Sequence, residues 1–278
     1  MKREPFLIHL TESKKEAGWR KAIWTILWTF CVVCCQAQAV PGKQVVATIQ
    51  QDPWHTQQTW VYTPPDYAAS NPCTTAKQVF PLVIYLAGIG DWSSMAAVLQ
   101  NGPGHIIATS GWLPECILLS PLWNGGWSNP QAVNADINWA EQHFQVDTTR
   151  IYLIGISAGG GGCYNYICTN QYFMSRIAAM VPMSASAVDD IQTGRYTSDS
   201  LKYCAKFGLH VWDFCGNKDN LGFLPINEMY VNKINAAAPG YAKITVYPGT
   251  HCCWLTYWNT NYTEGGLNWF DWLMQFHK

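Results

Sequence analysis

The chain has 278 residues and a formal charge of −1, and removal of residues 1–39 takes that charge to −4 (11 basic minus 15 acidic). This balance provides no basic footprint for nucleic acid and no polybasic patch for a membrane surface. The roughly 239 residues that remain fit one large domain with a packed core.

The first segment reads as a leader. Lys2, Arg3, Lys14, Lys15, Arg20 and Lys21 make a basic region, residues 22–35 an uncharged apolar run, and Ala37-Gln38-Ala39 a small-residue cleavage site. That order predicts a secretory signal peptide over 1–39 and a mature domain over 40–278. The apolar run is short for a membrane span, and an uncleaved anchor is the alternative. Three of the eleven cysteines fall in the leader, and eight follow: Cys73, Cys116, Cys163, Cys168, Cys204, Cys215, Cys252 and Cys253. An even number in an exported chain predicts disulfides, although Cys116 could equally be a buried thiol. No pair has the spacing of a structural zinc site, so no metal is expected.

Taken in order, residues 44–50 and 59–63 predict two strands joined as a hairpin around Asp52-Pro53. Residues 64–77 form a loop with an Asn71-Pro72 turn. Residues 81–87 are apolar throughout, as a central parallel strand covered on both faces should be. Residues 93–100 predict a helix and 116–120 another buried strand. Val133, Ile137, Ala140 and Phe144 recur at helical spacing after Pro130. Strands follow at 151–154, 177–183, 210–214 and 244–247, with helices at 200–207 and 225–237 between them and an amphipathic helix at 267–274. Alternation of strands and helices predicts an α/β fold: one domain, a mostly parallel central sheet, helices on both faces.

The chain is organised around residues 150–162. An apolar strand ends in Gly155-Ile156-Ser157-Ala158-Gly159, and a glycine-rich stretch follows. This G-x-S-x-G pattern between strand and helix predicts a sharp turn that holds Ser157 in strained backbone geometry with its hydroxyl presented for attack. Ligands in such sheets sit beyond the carboxyl ends of the strands. Beyond 210–214 comes Gly216-Asn217-Lys218-Asp219, and beyond 244–247 comes Gly249-Thr250-His251. Asp219 and His251 then complete the order Ser, Asp, His, with His251 as base and Asp219 orienting its ring. Asp213, Asp189 and Asp190 compete for the acid's role, but Asp213 lies within a strand. The oxyanion donors are expected to be the backbone N–H groups of Ala158, at a helix start, and of Ile89, in the loop Gly88-Ile89-Gly90-Asp91. The chemistry needs only side chains and water, so no cofactor is expected.

Residues 81–90, Val146-Asp147 with Arg150-Ile151-Tyr152, Gly216 to Asp219, and Gly249-Thr250-His251 with Trp254 resemble secreted α/β-hydrolase esterases. That group contains polyhydroxybutyrate-depolymerase-like enzymes and the feruloyl and acetyl-xylan esterases. The resemblance runs from about Val45 to the end and implies the α/β-hydrolase fold, nucleophile Ser157, acid Asp219 and base His251. Two positions depart from it, because Ala87 and Cys215 stand where the family commonly has histidines.

Trp92, Trp123, Trp127 and Trp254 fall in loops at the predicted active edge, where indole faces suit sugar rings or aromatic acyl groups. The expected substrate is therefore a carboxylic ester on a polysaccharide, plant polysaccharide included. A bridge from Cys215 to Cys252 or Cys253 is expected to hold the acid and base loops together, with a vicinal Cys252–Cys253 bridge as the alternative. A prolyl-oligopeptidase-like serine peptidase and a non-catalytic carbohydrate-binding protein on the same fold are the rival readings.

Overall fold

The computed structural model describes residues 39–278 except 53–54, 68–77, 123–128, 188–197 and 253. The predicted leader, the Asp52-Pro53 and Asn71-Pro72 turns, Trp123, Trp127, Asp189, Asp190, Cys73 and Cys253 therefore lie wholly or partly outside the described residues. Gln38–Lys278 forms one compact unit.

Eight described strands make one sheet: β1 (Gln44–Asp52), β2 (His55–Tyr62), β3 (Phe80–Leu86), β4 (Ile117–Pro121), β5 (Val146–Ile156), β6 (Ala179–Met183), β7 (His210–Gly216) and β8 (Ala242–Tyr247). Their spatial order is β1-β2-β4-β3-β5-β6-β7-β8. The pairs β1–β2 and β2–β4 are antiparallel, and every pair from β4 to β8 is parallel. All residues of β3 and of β6 are buried. A strand buried at every position is covered on both faces, which accounts for its unbroken apolar sequence.

The chain runs from β3 outward to β4 and then returns to the other side of β3 as β5. The carboxyl ends of β3 and β5 thus flank the point where the winding reverses, the usual ligand crevice of an open α/β sheet.

The helices are α1 (Met95–Val98), α2 (Gly102–Ser110), α3 (Pro130–His143), α4 (Ala158–Thr169), α5 (Gln171–Arg176), α6 (Leu224–Ala237), α7 (Trp254–Tyr257) and α8 (Trp269–Leu273). Helix α3 starts at a proline, which has no N–H to leave unpaired in the first turn, and Asn129 accepts from Gln131 N–H ahead of it. It buries Val133, Ile137 and Ala140, three positions of the predicted apolar stripe.

Several boundaries differ from the sequence reading. Residues 93–100 give only the single turn α1, started by the Ser94 hydroxyl accepting from Ala97 N–H at 3.1 Å. Helix α2 was not predicted, because Gly102-Pro103-Gly104 reads as a breaker. These three helix-poor residues all sit in the first turn, where proline is tolerated. Residues 200–207 form two 3-10 segments, Ser198–Tyr203 and Ala205–Phe207, in place of an α-helix. Strand β5 begins before Ile151, at Val146, with a register shift against β3 between Phe80 and Leu82.

The bridges expected at Cys215 and at Cys252 are corrected. Cys116, Cys163, Cys204, Cys215 and Cys252 are free thiols. Cys215 is buried in β7 with its sulfur 3.8 Å from the Ser184 hydroxyl, whereas Cys252 is exposed in the loop after β8. Neither the predicted Cys215 bridge nor the vicinal one is present. Among the described residues no helix is long and apolar enough to cross a membrane.

Candidate active site

The turn after β5 is built from close approaches that only glycine permits. A Cβ on Gly155 would lie 2.4 Å from Gly159 O, and one on Gly159 would lie 1.8 Å from Leu86 O. Helix α4 therefore starts against the backbone of β3, and the chain reverses within one residue. That residue is Ser157, at φ 53° and ψ −120°. Positive φ is strained for a residue with a Cβ, and the surroundings hold it there. Ser157 N–H donates to Met183 O at 2.9 Å, while Ser157 O accepts from Gly161 N–H at 3.0 Å and Ser186 N–H at 3.2 Å.

Ser157 occupies the N-cap position of α4, yet its hydroxyl makes no capping bond. It lies instead 2.8 Å from His251 Nε2, and His251 Nδ1 lies 2.8 Å from Asp219 Oδ2. A carboxylate only accepts, so Nδ1 carries the proton and donates it to Asp219, leaving Nε2 to accept from the Ser157 hydroxyl. The Asp219 side chain is fully buried and that of His251 is 15% exposed. Asp219 Oδ1 accepts from Leu221 N–H at 2.9 Å, which fixes the second carboxylate oxygen. Phe223 and Trp254 flank the imidazole edge to face, with ring centroids at 5.3 Å and 5.2 Å.

The competitor Asp213 is elsewhere. It is fully buried in β7 and accepts from the Tyr164 hydroxyl at 2.7 Å, and burial pushes its carboxyl well above the ordinary range. Its in-strand position points it at a neighbouring helix and away from His251. Cys215 Sγ reaches Asp219 Oδ2 at 3.9 Å, and burial raises that thiol to about 12, so it remains a weak donor behind the acid.

Ile89 and Ala158 each open a helical segment, the 3-10 turn Ile89–Asp91 and α4. Residues at such positions carry N–H groups with no carbonyl one turn back. Gly88, just before Ile89, lies against the serine: a Cβ there would be 3.5 Å from Ser157 Cβ. Of the four tryptophans singled out by sequence, two are described. Trp92 donates its indole N–H to Ala87 O at 3.3 Å and Trp254 donates its own to Asn101 Oδ1 at 2.9 Å. Both rings are half-buried, so each has apolar face to offer while its single N–H is committed within the protein.

Sequence reasoning passed over Asp91, Asn101, Ser184 and Phe223. Asp91 is buried at the end of the 3-10 turn, and both its oxygens accept from Asn101 Nδ2 at 3.0 Å. Burial raises its carboxyl, opposed by that hydrogen bond. Ser184, at φ 46°, directly follows β6, and its N–H donates to Phe214 O in β7. Asn101-Gly102-Pro103 was the available signal for a helix start, and nothing local marks Ser184.

No protein-family model and no curated protein matches the sequence. Solved structures do. FphF, a fluorophosphonate-binding serine hydrolase of Staphylococcus aureus, is 16% identical over 76% of this chain and 92% of its own, with a TM-score of 0.56. The S-formylglutathione hydrolase FrmB of Staphylococcus aureus is 15% identical over 75% and 92%, with a TM-score of 0.54. A hyperthermophilic esterase from the archaeon Pyrobaculum calidifontis is 14% identical over 78% of each chain, with a TM-score of 0.52. With the sheet order and the crossover at β3, these likenesses show that the chain has the α/β-hydrolase fold.

Proposed function

We propose that this chain is a serine hydrolase of carboxylic esters, with Ser157 as nucleophile, His251 as base and Asp219 as the residue that orients the imidazole. The observation that carries this reading is the pair of 2.8 Å contacts joining Ser157, His251 and Asp219 at a serine whose backbone is held at φ 53°. Structures that share its fold include an esterase and an S-formylglutathione hydrolase, which fits the same reading.

Ser157 Oγ bonds to the ester carbonyl carbon as its proton passes to His251 Nε2. The N–H groups of Ile89 and Ala158 receive the carbonyl oxygen as it becomes anionic. The imidazolium, paired with Asp219, then protonates the departing alkoxide, and the alcohol leaves an acyl-serine. Water repeats the sequence: its proton goes to Nε2, its oxygen to the acyl carbon, and Ser157 regains a proton as the acid departs. The substrate class we assign is an acetyl or feruloyl ester on a polysaccharide, with the faces of Trp92 and Trp254 serving as walls. The secretory signal read from residues 1–39 supports placing the enzyme in the secreted or periplasmic space.

A fluorophosphonate probe should label the protein at Ser157. Ser157→Ala should abolish labelling and lower ester hydrolysis by several orders of magnitude. Absence of labelling in the wild type would point to the non-catalytic reading, and faster cleavage of peptides than of esters to the peptidase. Hydrolysis of nitrophenyl acetate without release of acetate or ferulate from plant polysaccharide would remove the polysaccharide from the assignment and leave the esterase.

A further inference from the structure

Asn101 sits at the N-cap of α2, a position where asparagine ordinarily accepts a hydrogen bond from the helix's own first turn. Here it makes no such bond. Its amide nitrogen donates to both oxygens of Asp91 at 3.0 Å, and its carbonyl oxygen accepts from the Trp254 indole at 2.9 Å. The partners fix which way the amide points: a carboxylate only accepts and an indole N–H only donates, so neither aspartate nor an aliphatic side chain meets both demands. The backbone is shaped to put it there. Gly102, the next residue, has φ +71° and presses on the Tyr85 ring, where a Cβ would come within 2.5 Å of Cζ.

The two partners belong to separate halves of the proposed machinery. Asp91 closes the turn that presents Ile89, through Asp91 N–H donating to Gly88 O at 3.0 Å. Trp254 packs its ring against His251. Asp91 and Trp254 are far apart in sequence, and Asn101 joins them through a single side chain.

We infer that Asn101 is a positioning residue that locks the oxyanion loop and the base into one fixed relative geometry, through Asp91 on one side and Trp254 on the other. This rests on the serine-hydrolase reading and deepens it: the side-chain hydrogen bonds of Asn101 go to Asp91 and Trp254, and it acts by where it holds Ile89 and His251. Interactions of this kind are felt in the transition state, since loosening a reacting geometry by about 1 Å can cost about 100-fold in rate.

The test is a mutant cycle on the full chain with nitrophenyl acetate. Asn101→Ala should lower kcat about 10- to 100-fold with KM changed by less than about threefold. Trp254→Phe keeps an aromatic ring and loses the N–H, and should cost about tenfold alone but little more in the Asn101→Ala background, because the two changes break the same chain. Should Asn101→Ala fail to fold, Asp91→Asn with Trp254→Phe runs the cycle without altering Asn101, and non-additive losses in kcat are again expected. A residue that only supports the fold would shift the thermal midpoint and leave kcat alone. Values of kcat within about twofold of wild type, or losses that simply multiply, would overturn the inference while leaving the esterase reading intact. A wild-type protein that neither hydrolyses esters nor takes the fluorophosphonate would overturn both.

Discussion

Gly159→Ala puts the structural account of the serine turn at risk most directly. A Cβ at this position would lie 1.8 Å from Leu86 O, 2.4 Å from Leu86 C and 2.7 Å from Ala87 O. Ordinary contact begins near 3.4 Å, so the start of α4 must retreat by about 1.6 Å (3.4 − 1.8) or β3 must yield, and β3 is hydrogen-bonded on both sides. Alanine gains about 1 kcal/mol over glycine in a helix, while forced overpacking costs about 3 kcal/mol or more when the obstacle is backbone. The net loss, roughly 2 kcal/mol, lowers the thermal midpoint by about 4–8 °C for a chain of this size. Retreat of α4 also draws Ala158 away from the Gly88 loop, so the second-order rate of fluorophosphonate labelling should fall about 100-fold. Gly161→Ala is the matched contrast. There the nearest atom is Ser186 Oγ at 2.1 Å, a hydroxyl that can rotate aside, and the nearest backbone atom is Ser186 O at 3.1 Å, so with the helix gain the loss should be smaller than for Gly159→Ala. Circular dichroism melts and labelling kinetics read both variants. A Gly159→Ala protein with wild-type melting and labelling would refute the claim that backbone contact between α4 and β3 dictates the glycine.

Asn227 is fully buried in α6, accepts from Ala185 N–H at 2.9 Å and donates to Ala185 O at 2.8 Å and Phe223 O at 2.9 Å. Asn227→Ala should cost roughly 2–4 kcal/mol in denaturant unfolding, because buried backbone groups lose their partners. Burial pushes the carboxyl of Asp136 up to about 8, against a hydrogen bond from Gln51, while in the unfolded chain it is about 3.9. Between those values the folded state holds a proton that the unfolded state has released, so this residue's contribution to stability falls as pH rises from about 4 to about 8. Asp136→Asn should remove that slope and melt above the wild type at pH 9; a difference independent of pH would contradict the assignment. Iodoacetamide should alkylate exposed Cys252 in the native protein without prior reduction and spare buried Cys215; mass mapping that finds either in a disulfide would contradict the free thiols described above.

The signals legible in the sequence were those written in local chemistry. The apolar run of β3 needs cover on both faces, and Gly155 and Gly159 permit contacts that no larger residue allows. Ser157, Asp219 and His251 each follow a predicted strand, and topology brings loops that follow parallel strands to one rim. What escaped was set by distant partners. Helix α2 begins with Gly102-Pro103-Gly104, a poor helical sequence that forms where Gly102 meets the Tyr85 ring. The 3-10 path of Ser198–Tyr203 lies against α6 and is held there by Lys233, which pairs with Asp199 at 3.1 Å. Cysteine count suggested bridges, but Cys116, Cys163 and Cys204 are packed in the interior as small apolar groups. Asn101 looks like an ordinary helix cap in sequence; only the placement of Asp91 and Trp254 reveals that its amide is used elsewhere.

The three loops stay in register because the sheet's hydrogen bonding continues past the ends of its strands. Ser157 N–H donates to Met183 O, Ser184 N–H to Phe214 O at 2.7 Å, Asn217 N–H to Tyr247 O at 2.8 Å, and Lys218 N–H to Gly249 O at 2.9 Å. Each bond crosses from one parallel strand end to the next, from β5 through β6 and β7 to β8. Strand β6 supplies no member of the Ser157–His251–Asp219 set, yet it is the middle step, and the step is taken by Ser184 at φ 46°. A non-glycine residue held in that region costs roughly 1–3 kcal/mol. The surrounding ladder overdetermines it, as it does Ser157. Both strained residues thus lie on one backbone path whose bonds fix the distance between nucleophile and acid before any side chain is placed. The 2.8 Å contacts of His251 follow from that path, since the loop carrying the imidazole leaves β8 already tied to the loop carrying Asp219.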